Sequence, residues 1–168
     1  MIPATLKKTN EWKSSDIVFC LEHMAEMERV WFAGSDFNVY QYDLSLEKPE
    51  RQPFDGEGHT SYVTGMVRQG NILITCGYDG QLCWWSIDER RLTRKIAAHE
   101  RWGRAITASP DGSKLYTVAD DMLCKVYLCL DYGLKGVQAY TLLVLAYFTF
   151  VWYRCAISFM LSLYSSHG

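Results

Sequence analysis

Three stretches of this chain superimpose without a gap, and the spacing they share constrains the fold more than any other feature. SDFNVYQYDL (35–44), YDGQLCWWSI (78–87) and DDMLCKVYLC (120–129) each set an aspartate six residues before an aromatic: Asp36 before Tyr42, Asp79 before Trp85, Asp121 before Tyr127. The aspartates recur at intervals of 43 and 42 residues, the length of a unit of about four short strands. Ahead of each runs a β-prone apolar stretch (30–33, 72–76, 115–119), and behind it comes a strand-like run such as Val39-Tyr40-Gln41-Tyr42. Asp79-Gly80 is a hairpin signal, and Ser109-Pro110-Asp111-Gly112 is a turn in which Pro presets φ and Gly supplies a positive one. Polar breaks at 47–53 and 88–91 separate each unit from the next. No helical period intervenes, so the pattern predicts an all-β architecture.

Charge and cysteine usage remove several function classes. Lys and Arg number 17 against 19 Asp and Glu, a formal net charge of −2. No overall positive field exists to hold a polyanion, and nucleic acid is not the expected partner. Cys20, Cys76, Cys83, Cys124, Cys129 and Cys155 form no Cys-x-x-Cys pair and the histidines are scattered, so neither a metal site, a redox motif nor a cofactor is expected. Cys76, Cys83 and Cys124 fall in strand-like runs, where a thiol acts as a small hydrophobe. The opening MIPATLKKTNEWKSSD lacks the apolar core of a secretory signal, which predicts a reducing, cytoplasmic setting.

These residues resemble the WD40 repeat family. Gly58-His59 matches its Gly-His dyad, and Trp85-Ser86 stands where its Trp-Asp dipeptide ends the third strand. The resemblance implies β-propeller blades, each locked by a buried hydrogen-bonded chain of His, Ser or Thr, Asp and Trp. The second unit supplies His59, Thr75, Asp79 and Trp85; the third supplies His99, Thr117 and Asp121, with Tyr127 for the tryptophan. The first keeps Asp36 and has Tyr42, but Phe32 replaces the hydroxyl residue and no histidine stands at the expected distance upstream. The resemblance covers residues 17–128, read as units 17–46, 47–88 and 89–130 between an N-terminal extension (1–16) and an apolar tail (131–168) expected to be helical. It implies a partial propeller acting as a non-catalytic protein–protein interaction scaffold, with no small-molecule substrate.

The paired histidines and aspartates have a physical reading of their own. Burying such groups costs ~1–3 kcal/mol each unless they bond to one another, so a structural lock is their natural use. A competing use is a hydrolase site with Thr75 or Thr117 as nucleophile. Recurrence at the unit interval favours the lock, since an active site is needed once and a lock in every repeat.

In WD40-like proteins the positions after the His and before the Asp point to the face around the central channel. Here they hold Tyr62, Trp102 and Arg104, with Tyr78 and Asp120. Aromatic and Arg side chains suit interface hot spots, while packing between neighbouring blades is the preferred expectation for Tyr62 and Trp102. The basic run Arg90, Arg91, Arg94 and Lys95 is expected on a solvated edge strand.

Propellers close with roughly four to eight blades, which leaves three readings of a three-unit chain: a fragment of a longer propeller, a ring completed by oligomerisation, or a stack leaning on its tail. The fragment is the preferred expectation. Residues 137–164, VQAYTLLVLAYFTFVWYRCAISFMLSLY, reach the ~20 apolar residues of a membrane span, though Arg154 near the centre opposes insertion by about 2.5–3.5 kcal/mol. An anchor making the chain a membrane-tethered adaptor, a helix covering an open blade edge, and an extension from a frame change all fit this composition.

Overall fold

Short apolar runs broken by tight turns give strands that pair with their sequence neighbours. The computed structural model describes residues 7–24, 27–129 and 138–140. Three antiparallel sheets follow one another: β1 (Val18–Met24), β2 (Arg29–Gly34), β3 (Val39–Asp43) and β4 (Gln52–Pro53); β5 (Val63–Gln69), β6 (Ile72–Gly77), β7 (Gln81–Ser86) and β8 (Arg91–Ala97); β9 (Gly103–Ala108), β10 (Lys114–Ala119), β11 (Cys124–Leu128) and β12 (Gln138–Tyr140). Each sheet is a four-stranded meander, as in a propeller blade. The first strands lie side by side, β5 packing on β1 to one side and on β9 to the other. Thr64 Oγ1 donates to the Gly103 carbonyl at 2.6 Å, tying β5 to β9.

Pairing of Leu73 with Trp85 and of Thr75 with Cys83 puts these four side chains on one face of the second sheet. Leu73, Cys83 and Trp85 meet Trp31, Ala33 and Val39 of the first sheet in one apolar core. Ile74, Cys76 and Leu82, on the opposite face, meet Leu115 and Tyr127 of the third sheet in a second core. Covered on both faces, β6 is buried almost throughout, which is why ILITCG reads as a continuous apolar run and not as an alternating one. Leu73, Leu82, Leu115 and Trp85 are fully buried, each stabilising by about 2–3 kcal/mol relative to exposure.

The units read from sequence run one strand out of phase with the sheets. Unit 47–88 holds β4, the outer strand of the first sheet, and then β5, β6 and β7 of the second, while β8 falls to the next unit. The chain thus crosses from the outer edge of one sheet to the inner edge of the next within the second and third units. Pro53 sits in an outermost strand, where its missing N–H costs no ladder bond. The basic run lies on β8, also outermost.

At 138–140 the helical expectation is corrected. These residues pair with β11 (Val126↔Tyr140, Tyr127↔Ala139, Leu128↔Gln138) and give the third sheet its fourth strand. The anchor, edge-cover and extension readings otherwise lie outside the described residues. Among the described residues no helix is long and apolar enough to cross a membrane.

Candidate functional site

Between β4 and β5 the chain passes Gly58 and His59, and the histidine ring turns inward onto the second sheet. Its Nδ1 lies 3.0 and 3.1 Å from the two Asp79 carboxylate oxygens, and its Nε2 lies 2.8 Å from Thr75 Oγ1. A carboxylate only accepts, so Nδ1 carries the proton, Nε2 accepts from the Thr75 hydroxyl, and that oxygen accepts from Trp85 Nε1 at 2.9 Å. Asp79 also receives the Thr60 and Gln81 N–H groups at 2.9 and 3.1 Å. Burial pushes its carboxyl up, but the His59 bond and these two N–H donors outweigh it, leaving the carboxyl below its ordinary 3.8. Gly58 is needed beside this set: a Cβ there would stand 2.3 Å from the Trp85 ring.

The third sheet repeats the arrangement. His99 Nδ1 donates to Asp121 at 2.8 Å, Nε2 lies 2.8 Å from Thr117 Oγ1, and the Leu123 N–H reaches Asp121 at 3.1 Å. Burial raises the Asp121 carboxyl, and the His99 bond and the Leu123 N–H bring it below 3.8. Tyr127, where a tryptophan closes the second set, donates to the Ala98 carbonyl at 3.5 Å. His59, Thr75, His99 and Thr117 are all buried, and each threonine hydroxyl is directed into its sheet.

The first sheet is held differently. Tyr42 does not join Asp36; it packs on Phe32, ring centroids 4.8 Å apart. Tyr40 donates its hydroxyl to Asp36 at 2.6 Å instead. Arg51, which the sequence pattern does not single out, stands in for the missing histidine: it pairs with Asp36 at 3.2 Å and Asp16 at 2.9 Å, and its guanidinium lies 3.8 Å from the Tyr40 ring centroid. A basic residue fifteen positions past Asp36 was the available signal.

On the face where β1, β5 and β9 begin, the structure brings Tyr62, Tyr78, Trp102, Arg104 and Asp120 together. Tyr78 stacks on Trp102 at 4.8 Å with planes 5° apart, and Tyr62 lies 5.7 Å from Tyr78. Phe19 and Phe37, both missed from sequence, continue the row at 5.6 and 5.8 Å from Tyr62. Arg104 grips Asp120 with two bonds of 2.6 Å and donates a third, also 2.6 Å, to the Tyr78 hydroxyl. Its guanidinium stands 4.9 Å from the Tyr78 centroid and 5.5 Å from that of Trp102. The Arg104 bond and charge lower the Asp120 carboxyl. Trp102 and Tyr62 touch neighbouring blades yet stay 53% and 41% exposed. The result is an aromatic ribbon crossing all three sheets, exposed at Phe19, Phe37, Tyr62 and Trp102 and half-buried at Tyr78.

Burial pushes the Cys20 and Cys83 thiols up to about 12 and that of Cys76 to about 11, so these sulfurs stay protonated. Among the described residues no three His, Cys, Asp or Glu side chains gather as metal ligands. A cleft of about 330 Å³ lies between Phe37 and Asn38 and residues 56–60, with Trp85 and Lys95 in its wall. Its Lys95 is bound to the Gly58 carbonyl.

Comparison with known proteins agrees with this geometry. The family model "WD domain, G-beta repeat" matches residues 51–86. The F-box/WD repeat-containing protein sel-10 of Caenorhabditis elegans is 30% identical over 131 residues, covering 71% of this chain and 22% of the relative. Superkiller complex protein 8 of Dictyostelium discoideum is 33% identical over 81 residues, 46% of this chain and 25% of the relative. DDB1- and CUL4-associated factor 13 of Danio rerio is 29% identical over 111 residues, 62% of this chain and 25% of the relative. The chain thus spans a quarter or less of the length of these curated relatives. In fold it is similar to the crystal structure of RRP9 WD40 repeats, with a TM-score of 0.62 and 16% identity over 70% of this chain and 37% of that one. With its four-stranded meanders and the WD repeat matched at 51–86, the chain belongs to the WD40-repeat β-propeller family.

Proposed function

We propose that this chain is a non-catalytic scaffold that binds protein partners through the ribbon of Phe19, Phe37, Tyr62, Tyr78 and Trp102. The observation that carries the reading is the ribbon's continuity: each of the three sheets contributes a ring to one row. Large rings with polar tips, held by packed strands, bury area on binding at little conformational cost. The His–Thr–Asp sets belong to the interior, since Thr75 and Thr117 are hydrogen-bonded and essentially without solvent exposure. Two relatives bear names that describe membership of assemblies, an associated factor and a complex protein. A reducing, cytoplasmic setting is part of this proposal, and the five described cysteines are free thiols in keeping with it.

The test is affinity purification of the tagged chain from its source cells beside the double variant Tyr62→Ser/Trp102→Ser, with thermal unfolding of both. The expected result is loss of co-purifying proteins from a variant that still unfolds cooperatively. Retention of the same proteins by the folded variant would overturn the assignment.

A further inference from the structure

At the end of the ribbon, the cation that stands over its rings is already used. Arg104 gives Asp120 two bonds and Tyr78 a third, and the exposed Arg101 beside Trp102 also acts on Asp120, so Arg104 is not free for a phosphate or carboxylate and Asp120 is not free for a basic side chain. Single-stranded nucleic acid, which needs cations along its backbone beside the stacking rings, does not suit such a surface. A helix does not suit it either, because the row is a narrow line of rings and a helix laid along a surface needs a groove about 10 Å across.

The rings have the shape for a narrower ligand. Tyr62 is tilted 43° to Phe37, 44° to Phe19 and 47° to Tyr78, which leaves a shallow notch on each side of it. The nearly parallel Tyr78–Trp102 stack then forms a flat step. Steps of 5.8, 5.7 and 4.8 Å from Phe37 through Tyr62 and Tyr78 to Trp102 give the row a reach of at most roughly 16 Å. That is the length of about five residues of polyproline II helix at roughly 3.1 Å each. Such a helix has no internal hydrogen bonds, so its carbonyls are free to accept from an indole N–H or a phenol, and its pyrrolidine rings are rigid apolar bodies that rest on aromatic faces. The row is also stiff: Arg104 holds Tyr78 and stands over both rings of the step, and Thr64 ties β5 to β9 beneath them.

Resting on the interaction role proposed above, we infer that the ribbon's partner is an uncharged, proline-containing segment of another protein, lying extended across Phe37, Tyr62, Tyr78 and Trp102.

The test titrates the full chain with three synthetic peptides of one proline-rich core: neutral, phosphoserine-flanked and lysine-flanked. Affinity is read by calorimetry on the wild type, Trp102→Ala and Tyr62→Ser, and the Trp102 indole N–H resonance, assigned with Trp102→Phe, locates the peptide on the wild-type chain. Expected is binding of the neutral peptide that moves the Trp102 resonance, falls about tenfold or more in either variant, and changes less than about twofold between low and high salt. A charged peptide binding about tenfold tighter than the neutral one, with a steep salt dependence and still weakened in the variants, would overturn the partner class and leave the ribbon as the binding surface. Neutral-peptide binding that leaves Trp102 unmoved and is equal in wild type and variants would overturn both. No binding of any peptide overturns the partner class alone, because the co-purification experiment judges the ribbon independently.

Discussion

At the scale of single residues, stability turns on whether each buried polar group has its partner. Removing the imidazole in His59→Ala strands Asp79 and Thr75 inside the sheet, so a loss of about 3 kcal/mol is expected in chemical denaturation. Acid acts on the same groups. The Asp79 and Asp121 carboxyls sit below 3.8 in the folded chain, so the unfolded chain binds protons more readily than the folded one. Their stabilisation is whole well above that value and disappears as pH falls through the folded values. Denaturation midpoints measured from pH 6 to pH 2 are expected to fall below about pH 4, and Asp79→Asn is expected to flatten that fall from a lower starting stability. Both sets were legible because the spacing of threonine, aspartate and aromatic recurs, with a histidine upstream in each. Arg51 was not, since its partners Asp16 and Asp36 lie 35 and 15 residues away and no second copy marks it.

At the scale of elements, each hairpin turn makes the same demand on different residues. Phe37, Gly80 and Met122 follow the three turn aspartates with φ of 72°, 70° and 63°. Glycine meets that requirement freely, whereas a side chain in this region costs about 1 kcal/mol. Met122 is 86% exposed, so Met122→Gly is expected to raise stability by about 1 kcal/mol in denaturant titration. Gly80 has no such freedom, since a Cβ there would stand 2.2 Å from the His99 carbonyl oxygen. Phe37 went unread from sequence for this reason: at a turn position the pattern asks for glycine, and only the fold shows the ring turned toward Tyr62. The first sheet, fastened by the part-exposed Arg51 and a two-residue β4, is expected to exchange its amide hydrogens sooner than β6 and β7. Hydrogen exchange with mass detection checks the order.

At the scale of the whole molecule, interior and face divide the work. The interior was readable because burial imposes a period on it: one aspartate, one aromatic and one apolar strand per blade. The phase of the sheets was not, because the crossings from β4 to β5 and from β8 to β9 put a sheet boundary inside the second and third sequence units. Nor was the ribbon's continuity, which depends on β1, β5 and β9 standing side by side. The most direct test of this division is the thermal unfolding of Trp102→Ala beside His59→Ala in the full chain. Trp102 is exposed and stacked on one ring, so its loss is expected to cost about 1 kcal/mol. His59→Ala is expected to cost about 3 kcal/mol and to unfold many degrees earlier. The reverse order, with Trp102→Ala collapsing the fold while His59→Ala melts like the wild type, would contradict a structural interior and a binding face.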